Sequence, residues 1–285
     1  MKTCIKLFVC TLLIPLFASS ASAQRHRPPG PREVGPQYRT QPGTQELPPR
    51  YSAPARPNPT ARLAYWNEVA LRAIAVDHTP PFTEDTSVGA EQLGPTRTSR
   101  VLAIVHIAIY DALNAICRRY PGYSGPLTAF ADSSYDAAIA QAAHDTLVAL
   151  YPRQANRLDK WLSMDLARLP AGRARLNGID IGRRAAAAIL ALRANDGSQF
   201  DEPLVGEDYF PSNAPGQWRP DPVSRIRIAL GAYWSRVRPF VLESPTQFRS
   251  PPPPALSSEA YASAFAEVKQ LGGDGIRTPT RRTAE

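Results

Sequence analysis

Ser99-Arg100, five further residues and then His106 form the pairing in this chain whose types and spacing could do chemistry. An arginine ahead of a histidine is suited to gripping a tetrahedral oxyanion, because charge-assisted bonds from guanidinium and backbone N–H groups neutralise such an anion in a dry pocket. Helix geometry weighs against a working site here. Six residues turn a continuous helix through about 600°, so the two side chains leave it about 120° apart. Arg100 and His106 meet on one anion only if the first helical turn is distorted or if other helices bring further donors. The expectation is therefore a buried structural helix.

The remaining candidates are weaker. His26 lies in a Pro/Arg-rich stretch and His78 stands beside Thr79-Pro80-Pro81, neither in metal-ligand spacing to a Cys, Glu or second His. No H-E-x-x-H, C-x-x-C, G-x-S-x-G or Gly-rich phosphate loop occurs. His144 and Asp145 leave a helix about 100° apart and are not expected to form a dyad. His144 is expected to be buried and bonded to a backbone carbonyl or a neighbouring helix. His106 and Asp111 diverge too, whereas Tyr110 and Asn114 lie nearer the face of His106 and are its expected partners. No residue is assigned a catalytic, cofactor-binding or metal-binding role.

The two ends account for the basic charge. Lys2 and Lys6 precede the apolar run at 7–17, and Ala21-Ser22-Ala23 follows in the small-x-small order that a signal peptidase reads. Residues 1–23 are therefore read as a signal peptide, with an exported product, periplasmic or extracellular. Residues 24–60 hold ten of the 30 prolines and are read as a disordered Pro/Arg-rich leader. Seven Arg against two Glu between 24 and 62, with the two lysines ahead, carry +7 of the formal +8. A folded basic face is thus missing, and no nucleic-acid partner is expected. No segment after residue 23 is assigned as a membrane span. Cys4 and Cys10 lie in the signal peptide, so Cys117 is the lone cysteine of the exported chain, expected as a packed small hydrophobe.

The elements that must position these residues are helical. Apolar spacing predicts helices near 60–77, 94–119, 134–151, 154–168, 173–194 and 257–271, with a further one near 223–237. Leu63, Trp66, Val69, Leu71 and Ile74 should form the apolar face of the first. The second is apolar nearly all round from Val101 to Ile109, the mark of a central helix. Gly178, Gly182 and Ala186 recur every fourth residue, which lets two backbones approach closely. Asn195-Asp196-Gly197 is a helix stop. Residues 198–222 form a long loop, functional or draped over a neighbouring surface. The fold class is all-α: a helical bundle over 61–273, followed by a disordered tail at 274–285.

Six segments carry a resemblance, in order: "WNEVALRAI" (66–74), "GPTRTSRVLAIVHIAIYDALNAI" (94–116), "AAIAQAAHDTLVALYP" (137–152), "ALRANDG" (191–197), "PGQWRPDP" (215–222) and the stretch 239–272. Together they resemble the N-terminal helical half of bacterial vanadium-dependent haloperoxidases, members of the type 2 phosphatidic acid phosphatase superfamily. The resemblance implies a fold of two helical bundles, with peroxide-dependent halide oxidation, or phosphate-ester hydrolysis in acid phosphatase-like relatives. It places the vanadate site in the second bundle, on K-x6-R-P, P-S-G-H and S-R-x5-H motifs. This chain departs from that set. Ser212 and Gly231 stand where the lysine should precede Arg219-Pro220 and Arg238-Pro239, and P-S-G-H does not occur. The expectation is a chain truncated before its vanadate-binding half, holding no cofactor and inactive alone, with vanadate bound only by a full-length member. Self-association or docking through an exposed apolar face is expected to follow. The alternative is a stand-alone secreted helical binding or scaffold module.

Overall fold

The computed structural model describes residues 52–78, 91–223 and 226–283, and these form an all-α protein. The signal peptide and most of the leader lie outside the described residues. Six helices follow in order: α1 (Pro59–Asp77), α2 (Gly94–Cys117), α3 (Tyr135–Leu150), α4 (Ala155–Leu166), α5 (Arg173–Arg193) and α6 (Glu259–Leu271). Their ends follow local chemistry. Asn58 caps α1 by accepting the Ala61 N–H at 3.0 Å, with Pro59 in the first turn where its missing N–H costs nothing. Ser134 and Ser258 cap α3 and α6 in the same manner, accepting from Ala137 and Tyr261 at 3.2 Å each.

The start of α2 has a different solution. Leu93 offers no side-chain cap, and the Gly94 N–H donates instead to His78 Nε2 at 3.0 Å, while His78 Nδ1 bonds the Ile74 carbonyl at 2.9 Å. Asp77 accepts the N–H groups of Glu91 and Gln92 at 2.6 and 2.9 Å. The end of α1 thus holds the entry to α2 through side-chain acceptors. His78 takes a positioning role that its distance from any metal-like spacing did not suggest.

α3 is the centre of the core, in contact with α1, α2, α4 and α5, and twelve of its 16 residues are buried. The sequence assigns that place to α2, whose apolar run is longer. α2 keeps one side towards solvent, with Ser99, Tyr110 and Cys117 exposed, while Val101, Ile104, Val105, Ala108 and Ala112 are fully buried. Small side chains decide the difference. α3 is rich in alanine, so several helices can close on it at once. Gly178 and Gly182 of α5 face it: a Cβ at Gly182 would stand 2.8 Å from both the Ala138 carbonyl oxygen and Gln141 Cβ. The small-residue stripe is therefore a packing seam.

α2 is also the one described helix long and apolar enough to cross a membrane, with mean hydropathy 1.5, and 61% of that window is buried inside the protein. On α1 the apolar face is rotated from the expected one. Arg62, Tyr65, Trp66, Val69, Ala70 and Ala73 are buried, and Leu71 is 44% exposed. The stretch near 223–237 is expected as a helix, but the described residues 226–237 of that stretch hold only a single 3-10 turn, at Trp234–Arg236. Its backbone is taken by pairing: Val205 N–H donates to Arg227 and Ala229 N–H to Pro203, at 2.6 and 2.8 Å. α6 buries no residue, and Tyr261, Phe265 and Val268 on its apolar face are 38%, 60% and 69% exposed.

Candidate functional site

Arg100 and His106 are held apart. Arg100 is buried, with Nε donating to Asp196 Oδ2 at 2.7 Å and Nη2 to the Arg193 carbonyl at 3.0 Å. The same Asp196 oxygen accepts Arg193 Nε at 2.9 Å, and Oδ1 accepts the Ser198 N–H at 3.1 Å. Burial pushes the Asp196 carboxyl up, but bonds from Arg100 and Ser198 outweigh it and hold the group below its ordinary value. The Ser99 hydroxyl turns back to the Pro95 carbonyl at 2.7 Å. Asp196, which the sequence marks only as part of a helix stop, is a hub joining α2 and α5.

His106 faces α1. Its Nε2 lies 3.1 Å from Asn67 Oδ1, within hydrogen-bond distance. Burial lowers its pKa below the ordinary histidine value. The expected partners are engaged elsewhere. Tyr110 donates its hydroxyl to the Pro121 carbonyl at 3.0 Å, and Asn114 accepts the Tyr120 N–H at 2.9 Å while donating to the Tyr120 carbonyl. Asp111 is buried and accepts the N–H groups of Tyr123 and Ser124 at 2.6 and 2.9 Å. These residues anchor the turn after α2, a demand that comes from the turn's unpaired backbone.

His144 and Asp145 do meet, contrary to expectation. Nδ1 lies 2.7 Å from Asp145 Oδ1, and Nε2 lies 2.8 Å from Asp159 Oδ1 on α4. The Cα–Cβ bonds of neighbours diverge, but an imidazole and a carboxylate are long enough to swing together. Burial pulls this histidine's pKa down, and hydrogen bonds with their charge from Asp145 and Asp159 outweigh it, leaving the pKa raised. With both ring nitrogens on carboxylates, no lone pair is left for a substrate or a metal. Gln141 Nε2 fixes Asp145 at 2.7 Å, and the Trp66 ring stands edge-on to the imidazole at 6.5 Å. The arrangement clamps α4 onto α3.

A second buried network escaped the sequence. Arg62, counted there among the charges of the leader region, is fully buried and bonds Asp165 through Nε at 3.0 and 3.1 Å and Asp136 through Nη1. Trp66 Nε1 donates to the same Asp165 at 2.8 Å. The available signal was the i, i+4 spacing of Arg62 and Trp66 on one helical face.

Cys117 is exposed rather than packed, because it ends α2 where Arg118 turns to a left-handed φ of 51°. Among the described residues no group of three or more His, Cys, Asp or Glu could hold a metal ion. The expected loop from 198 onward drapes over the ends of α2 and α5. Arg97 donates to the carbonyls of Ser198 and Phe200 at 2.5 and 2.6 Å, and Arg193 donates to those of Arg238 and Pro239 at 2.5 and 3.2 Å. Gly231, in the register of the missing lysine, sits in a turn with φ 76° and donates its N–H to Glu202 at 2.8 Å.

No family model, no curated protein and no solved structure matches this chain.

Proposed function

We propose that this chain is the N-terminal helical domain of a vanadium-dependent haloperoxidase-like protein and that it does not itself carry oxyanion chemistry. The observation behind this reading is the separate engagement of Arg100 on Asp196 and of His106 on Asn67. An oxyanion of high charge needs several cationic donors converging from different segments. Arg100 and Arg193 spend most of their donors on Asp196 and on backbone carbonyls, and neither histidine of the core stands beside them. Among the described residues Arg100 and Arg238 keep spare donors, too few for an oxyanion of high charge, and His106 bonds Asn67 instead of joining them. Peroxide-dependent halide oxidation would belong to the second half of the parent protein.

The full chain titrated with orthovanadate in a calorimeter should give no saturable heat, and peroxide with bromide should give no oxidised halogen. Saturable vanadate binding lost in Arg100→Lys would overturn this reading. The coding DNA beyond codon 285, translated in all frames, tests the parentage: K-x6-R-P and P-S-G-H codons support it. Unrelated sequence favours a second reading, an exported helical binding module. The observation that favours the module is the α6 face, whose Tyr261, Phe265 and Val268 are open to a partner.

A further inference from the structure

A cavity of about 310 Å³ opens between the first half of α2, the end of α5 and the 234–245 segment. Ala103, Val237, Phe240 and Pro245 give it apolar walls, and its charged lining residues are Arg100, Arg193 and Arg238, with no carboxylate among them. Asp196, just behind, pairs with Arg100 and Arg193, so one carboxylate stands against three guanidinium groups. The Arg193 guanidinium lies 4.0 Å from the centre of the Phe240 ring, which fixes that ring as a wall.

The three arginines differ in what they can still offer. Arg193 uses Nε on Asp196, Nη1 on the Pro239 carbonyl and Nη2 on the Arg238 carbonyl. Arg100 uses Nε and Nη2, and its Nη1 donates to no described residue. Arg238 is exposed and uses only Nη2, on the Leu192 carbonyl. Two cations with donors to spare beside an apolar hollow suit one singly charged head on an apolar body.

We propose that this cavity binds a small organic monocarboxylate, its carboxylate on Arg238 and Arg100 and its apolar body against Val237, Phe240 and Pro245. A planar guanidinium matches a carboxylate through paired N–H donors. The apolar walls select the organic body: a bare inorganic anion would leave them wet, and a neutral ligand would leave the cations unanswered. The volume lies at the lower end of the range for small-molecule sites, about 300 to 1,000 Å³. This site shares Arg100 with the Ser99-Arg100 to His106 spacing but leaves out His106, which bonds Asn67, and it does not rest on the family reading.

The test is calorimetry on the full chain with benzoate and hexanoate, beside benzamide as the neutral counterpart of benzoate and inorganic phosphate as the anion without a body. The expected result is saturable carboxylate binding, at least about tenfold tighter than benzamide or phosphate. Arg238→Gln should weaken it about tenfold with an unchanged circular dichroism spectrum, because the exposed side chain holds a single backbone carbonyl. Ala103→Leu, which fills the hollow and keeps every charge, should abolish it. The proposal fails if no carboxylate saturates up to about 10 mM. It fails equally if benzamide or phosphate binds as well as benzoate, or if both variants keep the affinity of the parent chain.

Discussion

The region from α1 to α5 and the chain from residue 198 onward solve the same problem in opposite ways. In the first, helices close on α3 with fully buried side chains and ion pairs at its edge, as at Arg62 and Asp165. In the second, backbone carbonyls are tied to arginines of the first region, and α6 adds no buried residue. One region holds itself together by excluded water. The other is held by donors that belong to its neighbour, so substitutions of equal size should differ widely in effect between them.

The largest contrast is expected from Arg62→Ala. It leaves Asp165 and Asp136 buried without their cation, a loss of about 3–5 kcal/mol in unfolding free energy measured with urea. A loss below about 1 kcal/mol would show that the first region does not depend on this network. Gly182→Ala comes next. At an exposed helical position this change stabilises by about 1 kcal/mol. Here the new methyl meets Ala138 and Gln141, and overpacking should destabilise by about 1–3 kcal/mol. A higher melting temperature would refute the seam.

The two core histidines sharpen the comparison within the first region, because their linkage signs oppose. The folded pKa of His144 is raised, so its contribution is fully present below about pH 6.5 and is lost as pH rises through the folded value. His106 is lowered by burial, so the unfolded chain binds the proton more readily and stability falls as pH drops below about 6.5. His144→Gln should cost about 1 kcal/mol at pH 6 and less at pH 8, read from melting curves across that range. An equal cost at both values would remove the charged clamp. Smallest of all, Phe265→Ser on α6 should change unfolding free energy by no more than about 0.5 kcal/mol, since the ring is 60% exposed.

Helix positions were legible in the sequence to within about two residues, because apolar spacing, Pro95, Tyr151-Pro152 and Asn195-Asp196-Gly197 act locally. That no helix forms over 226–237 was not legible, since residues 203–205 claim backbone groups there that a helix would need. The partners of the candidate residues were similarly hidden. His106 finds Asn67, 39 positions away, and Arg100 finds Asp196, 96 positions away. Helical offsets such as those of Tyr110 and Asn114 count neighbours only within one helix.

What the sequence by itself determined is the all-α class, the small-residue seam on α5 and the divergence of Arg100 from His106. Each follows from a helical repeat of 3.6 residues and the size of a side chain. Tertiary structure alone decided that Arg62 belongs to the core, that Asp196 joins α2 to α5 and that His144 sits between two carboxylates. The physical reason is range. Periodicity acts over a few residues, whereas a buried charge is satisfied by whichever opposite group packing brings to it, at any separation along the chain.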